Sequence, residues 1–217
     1  MNNFLSTSNS ENPRNSLPDD IAHYILGKIF TGELGLGARL IETNIAKELN
    51  VSNIPVREAF YILQNTGIVE RLPRKGVRVK AISEEEIVDY TVALKELYRV
   101  ALAYSVPNWN DEHRENLKNS LNEAKELLVQ EKIAEYISKC DQISSYIFEV
   151  AGNKVFLRFY SEITYITTAY CQSIWNDAEK VKSWHSYLDG AVNALIQSDF
   201  KQAERELELL AKRSLLV

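Results

Sequence analysis

Apolar positions recur at helical spacing along most of this chain, with one interruption in its first third. Ile45, Ala46 and Leu49 share one face of a short run opening at Glu42, and Val56, Ala59, Phe60 and Leu63 share one face of the next. Asn50-Val51-Ser52 separates the two runs, and Gly67 stops the second. Between residues 71 and 80 the period shortens to two: Leu72, Val77 and Val79 alternate with charged residues, the pattern of a two-stranded ribbon. Pro73 and Gly76 bracket its turn, whose tip is Arg74-Lys75-Gly76. From Ser83 onward there are a single proline, Pro107, and two glycines, Gly152 and Gly190, so helices are expected throughout. The periodicity predicts six, over about 83–105, 111–130, 132–150, 153–175, 180–197 and 199–215. Ser83 with Glu86 makes a capping box for the first, Gly152 a C-cap before Asn153, and Asp199 an N-cap for the last.

These elements give a mainly α fold. An N-terminal winged helix-turn-helix, with three helices and a two-stranded wing, precedes an antiparallel bundle of about six helices. The expected division is an Asn- and Ser-rich disordered tail at 1–15, a winged helix-turn-helix at 16–80 and a helical domain at 81–217. Two helices joined by a short turn suit a DNA major groove, but on their own they fit an ordinary helical hairpin equally well. The ribbon that follows decides between them. It carries five basic residues, Arg71, Arg74, Lys75, Arg78 and Lys80, and no acid between 71 and 80. Gly76 tolerates a positive φ and lets backbone approach a phosphate, while the basic pair beside it neutralises duplex charge. In the second helix Ser52 is the expected N-cap, its hydroxyl accepting a backbone N–H, and Pro55 is tolerable because it falls in the first turn. That placement leaves Ser52, Asn53, Ile54 and Arg57 near the helix start, and the Arg57 fork matches the edge of guanine.

Charge sharpens the division. The net charge is −5, yet residues 1–80 hold 10 basic and 8 acidic side chains, against 15 and 22 in the remainder. A mildly basic module is thus joined to an acidic one. Two cysteines, Cys140 and Cys171, are too few for a disulfide scaffold and fit a reducing cytoplasm. No apolar stretch approaches a membrane span, so no membrane partner is expected. Enzyme signatures are lacking: His23, His113 and His185 stand apart, and there is no Gly-rich phosphate loop and no Cys-x-x-Cys.

The run Ile21-Ala22-His23-Tyr24-Ile25-Leu26, then Gly37-Ala38-Arg39-Leu40, Val51-Ser52, Pro55-Val56-Arg57-Glu58-Ala59 and Gly67-Ile68-Val69 together make residues 18–80 resemble the DNA-binding domain of the GntR superfamily of bacterial regulators. The Pro-Val-Arg-Glu-Ala run points to the FadR-type branch. Where the family usually places arginine after the capping serine, this chain has Asn53, which pairs better with adenine. The candidate DNA contacts are Arg39, Thr43, Ser52, Asn53, Ile54, Arg57, Arg74, Lys75 and Gly76. The second domain resembles the all-helical effector-binding and dimerisation domain of the same branch through Ser83-Glu84-Glu85-Glu86, Val150-Ala151-Gly152-Asn153, and Ala194-Leu195 with Asp199 and Ala203.

In that branch one Asp and three His hold a divalent metal. Carried onto this chain, the four positions fall on Cys140, Ser144, Leu188 and Leu210, so the resemblance implies no metal and no cofactor unless Asp141, Cys140 and His185 are recruited by a register shift of one turn. The bundle is rich in aromatic rings, and Thr164-Tyr165-Ile166-Thr167-Thr168-Ala169-Tyr170-Cys171 surrounds one helix with hydroxyls. Tyr98, Cys140, Ser144, Tyr165, Thr168 and Leu188 are the candidate effector pocket, suited to a neutral or aromatic small molecule. The resemblance further implies a cytoplasmic homodimer on a palindromic double-stranded DNA operator. The alternatives are a regulator whose helical domain only dimerises, and a helical enzyme or adaptor with a DNA-binding head.

Overall fold

The structure is a computed structural model that describes residues 16–174 and 178–215; the expected tail at 1–15 lies outside the described residues. Helix α1 (Leu17–Phe30) opens on a capping box between Ser16 and Asp19. Helices α2 (Glu42–Leu49) and α3 (Asn53–Asn65) follow, separated by Asn50 in the left-handed conformation that ends α2. The apolar stripes foreseen on both runs face inward: Val56, Ala59, Phe60 and Leu63 of α3 pack with Ile21, Ile25 and Ile29 of α1, all nearly inaccessible to solvent. Burying a side chain the size of Phe60 is worth roughly 2–3 kcal/mol.

The wing is larger than expected. Strands β2 (Val69–Leu72) and β3 (Gly76–Val79) pair antiparallel, but a third strand, β1 (Arg39–Leu40), lies on the other edge of β3, giving the order β1-β3-β2. Arg39 faces Arg78 and Leu40 faces Val77 in its register. Two residues are too few to show an alternating pattern, so only the pairing defines this strand. The ribbon closes through Lys75 N–H donating to the Leu72 carbonyl at 3.1 Å. Pro73 and then Arg74, at φ 61°, occupy the inner positions, the type II arrangement, which ordinarily prefers Gly or Asn at the second of them.

Beyond Lys80 the helices are α4 (Glu84–Ser105), α5 (Asp111–Val129), α6 (Ile133–Ala151), α7 (Lys154–Ile174), α8 (Ala178–Ile196) and α9 (Phe200–Leu215). The three expected caps are all present: Ser83 and Glu86 cap each other, Gly152 adopts φ 71°, and Asp199 accepts from the Gln202 N–H at 3.0 Å. A short 3₁₀ turn at Val106–Asn108, with Pro107 in its first turn, was not expected. It seats Trp109, whose indole N–H donates to Ser105 at 2.9 Å. Helices α8 and α9 form a hairpin, α9 also packs on α4, and α6 lies against α4, α5 and α7. Tyr136, Ile147, Phe148, Tyr160 and Leu188 fill the interior.

Helix α7 belongs to both cores. Its Tyr165 and Ala169 are buried with the N-terminal residues, and the Tyr165 ring lies 5.8 Å from that of Phe30. The Gln172 side-chain amide donates to the Phe30 carbonyl and, at 3.3 Å, to that of Ala134. Lys80 reaches across to Glu86 at 2.9 Å. The hydroxyl-rich stretch thus sits at the junction of the two cores, where the bundle meets α1.

Candidate nucleic-acid interface

The start of α3 projects into solvent because its apolar stripe begins only at Val56. Ser52, Asn53 and Ile54 are all exposed, Ile54 at 67%. Ser52 occupies the N-cap in extended backbone (φ −76°, ψ 165°), but its hydroxyl makes no capping bond, contrary to expectation. The hydroxyl and the free N–H groups of the first turn therefore face outward together, an arrangement suited to phosphate. Pro55 falls in the first turn, as the sequence requires.

The second part of the surface is a groove of about 320 Å³ between β1, the start of α2 and the wing. Arg39, Thr43, Lys75 and Gly76 line it, so four candidate contacts from three separate segments meet in one place. Among the described residues Arg39, Arg74 and Lys75 make no ion pair, whereas Arg78 is held by Glu70 at 2.8 Å. Arg71, counted among the ribbon's basic residues but not among the candidate contacts, also lines the groove and lies 5.1 Å from the Tyr61 ring centre.

Arg57 departs from expectation. Its Nε and one terminal nitrogen both donate to Glu42, at 3.2 and 2.8 Å, so the fork is engaged by the first residue of α2. The guanidinium holds the Glu42 carboxyl below the usual carboxylate range. Both groups are partly exposed, and such a pair is worth about 0–1 kcal/mol, little enough for a phosphate or base edge to displace it. Glu42 was missed because 15 residues separate it from Arg57, beyond any helical repeat.

This arrangement has a counterpart in sequence. Residues 17–79 match the profile of the family described as "Bacterial regulatory proteins, gntR family". They are a GntR-family helix-turn-helix domain. The chain is 31% identical over 114 residues to the "Probable D-xylose utilization operon transcriptional repressor" of Paenarthrobacter nicotinovorans, covering 52% of this chain and spanning about half (50%) of that relative's length. It is 26% identical over 181 residues to the "Gluconate operon transcriptional repressor" of Bacillus licheniformis, covering 83% of this chain and 67% of that protein. In fold it is similar to E. coli McbR/YncC, with a TM-score of 0.81 at 18% identity over 92% of this chain and 95% of that one. That likeness of fold takes in the helical domain as well as the GntR domain.

The residues expected to form an effector pocket in the helical domain are not gathered around one cavity. Tyr98 is buried, 5.9 Å from Phe148 and 6.1 Å from Tyr160 by ring centres. Leu188 is fully buried in the bundle core, and Thr168 is buried on α7. Desolvation pushes the Cys140 thiol up to about 12. Tyr165, alone of the six, lines the large cleft between the GntR domain and the bundle. The polar residues that do cluster are Tyr98, Ser144, Tyr160, Asp141 and Thr164; Tyr98 and Ser144 were expected, but their grouping with Tyr160, Asp141 and Thr164 joins three helices and is not legible in a single sequence.

The four positions that hold a metal in the FadR-type branch do not suit one here. Leu188 and Leu210 offer no donor, and both pack in the apolar core. His185 Nδ1 instead lies 3.0 Å from the Tyr136 hydroxyl, and desolvation lowers its pKa. Among the described residues no three His, Cys, Asp or Glu side chains stand close enough together to hold an ion.

Proposed function

We propose that this protein is a transcription regulator that binds a two-fold-symmetric duplex operator as a homodimer and responds to a small molecule. The observation that carries this is the meeting of Arg39 of β1, Thr43 of α2 and Lys75 of the wing in one groove, with Arg57 of α3 bonded to Glu42 on its lining, within a GntR-family domain. Asn53 and Ile54 would meet base edges, Ser52 and the first-turn amides phosphate, and the wing residues phosphate or the minor groove. The relatives' names, repressors of a D-xylose utilization operon and of a gluconate operon, support the regulatory role.

Dimerisation is supported by an apolar stripe on the bundle. Ala93, Leu97 and Val100 of α4 face Phe159 and Ile163 of α7 across a shallow groove of about 400 Å³, and Val92 and Val155 are exposed beside it. A second copy seated there would bury the stripe and place two α3 starts for successive half-sites. A cytoplasmic location follows from the DNA partner, and no helix among the described residues is long and apolar enough to cross a membrane.

Selection of bound duplexes from a random library tests the reading. The expected result is two half-sites related by a dyad, together with a sedimentation coefficient for a dimer that Phe159→Glu reduces to a monomer. Recovery of no preferred sequence would overturn operator recognition, and a monomeric parent would overturn the dimer.

A further inference from the structure

The recognition helix has two ends with different surroundings. Its start faces solvent, while Ile62, Leu63 and the capping Thr66 at its other end form part of the wall of a cleft of about 890 Å³. His23 and Leu26 of α1 continue that wall, and α6 and α7 supply the facing one, including Phe148 and Leu157. The volume falls within the range of small-molecule sites.

Two features of the bundle wall point to a ligand. Asp141 is 6% exposed, and its carboxylate accepts from the Tyr160 hydroxyl at 2.8 Å. That donor carries no charge, and among the described residues no basic side chain pairs with the carboxylate. Tyr165, on the same wall, buries a hydroxyl that has no hydrogen-bond partner among the described residues. A buried carboxylate without a counter-charge and a buried hydroxyl without a partner are both unfavourable unless something completes them. The basic side chains of the cleft do not. Lys154 and Arg158 are exposed, and Arg158 lies 3.6 Å from Glu162. His23 directs Nδ1 at the Asp19 carbonyl, 2.6 Å away. With Asp19, Glu149 and Glu162 also on the lining, acid outnumbers base.

We propose that this cleft binds an organic cation: an amine on an apolar or aromatic body, with its ammonium on Asp141 and a polar group at the Tyr165 hydroxyl. The body would lie against Leu157 on one side and Leu26 and Ile62 on the other. The aromatic character expected from the sequence is kept, and the positive charge is new. The consequence of binding rests on the regulator reading above. An occupant touches the GntR domain and the bundle at once, so it fixes how one sits on the other. Helix α3, with 13 residues, is a rod of about 20 Å, and a displacement at Thr66 is carried to Asn53.

The test uses the full chain and three ligands that share an indole body: tryptamine, tryptophol and indole-3-propionate. Tryptamine at millimolar concentration is expected to raise the melting temperature, and the alcohol and the acid are not. Asp141→Asn keeps an oxygen for Tyr160 and should weaken tryptamine binding at least about tenfold, and Tyr165→Phe about threefold. No shift with tryptamine, equal shifts with all three, or undiminished binding by Asp141→Asn would overturn the site. Gel shifts on the selected duplex are read separately. A change in DNA affinity of about fivefold or more at saturating tryptamine supports the coupling, and an unchanged affinity overturns it. A chain that binds no duplex overturns the regulator reading and leaves the melting result standing.

Discussion

The GntR domain and the bundle use polar groups in opposite ways. The domain carries Arg39, Arg74 and Lys75 outward and keeps its interior wholly apolar around Ile25 and Phe60. The bundle buries Asp141, Ser144, Thr164, Tyr98 and Tyr160 together and leaves a stripe of apolar side chains outside. Exposed charge acts at a distance and is weakened by salt, which suits the capture of a polyanion. Buried polarity acts only by contact, and its energy depends on whether every group is completed. One region is therefore built to find a partner and the other to discriminate one.

The largest way to break this contrast is in the bundle interior. Phe148 is fully buried and stacks on Tyr160 with ring centres 4.3 Å apart. Phe148→Ala should cost about 3–5 kcal/mol in denaturant unfolding. Ile54→Ala, on the exposed α3 start, should cost less than about 0.5 kcal/mol of stability while weakening operator binding. Equal costs at the two sites would remove the distinction between a packed and a presented surface.

Asp141 is next. Desolvation, partly offset by the Tyr160 hydroxyl and by Thr164, raises its pKa from 3.8 to about 6. A carboxyl whose folded pKa lies above its unfolded one favours the native state when protonated. Its contribution is present below about pH 4 and lost as pH rises through about 6. Asp141→Asn should therefore add about 2–3 kcal/mol at pH 7 and almost nothing at pH 4, measured as the difference between parent and variant unfolding free energies. A variant less stable than the parent at pH 7 would mean that the carboxylate is already matched by charge.

On the outer surface the effects are smaller and show up in binding. Arg57→Ala should lose roughly 1–3 kcal/mol per half-site on the selected operator. Lys75→Ala should weaken all duplexes alike and flatten the salt dependence by about one unit per contact. An unchanged slope would place the wing outside the interface. Smallest is Glu42→Gln. It frees the Arg57 fork and should tighten binding by less than about 1 kcal/mol, with stability nearly unchanged. Weaker binding by this variant would show that Glu42 orients Arg57 for DNA rather than competing with it.

What the sequence determined is whatever is local along the chain. Stripes such as Val56-Ala59-Phe60-Leu63, the Ser83–Glu86 box and the Gly152 stop depend on neighbours no more than about four positions apart. Their spacing is fixed by the chain alone, although burial supplies the energy of the stripes, and the helix bounds accordingly fell within about two residues of those expected. The basic wing tip and the exposed α3 start were legible for the same reason. Strand β1 was not, since two residues become a strand only when β3 lies beside them. Nor was the Arg57–Glu42 pair, nor the approach of Tyr160 to Asp141 across 19 residues, nor the sharing of α7 between two cores. Each of these depends on the angle and depth at which separate helices pack. Packing is set by the summed shapes of many side chains, and this is why it decided which polar groups stayed wet and which were left buried and waiting for a partner.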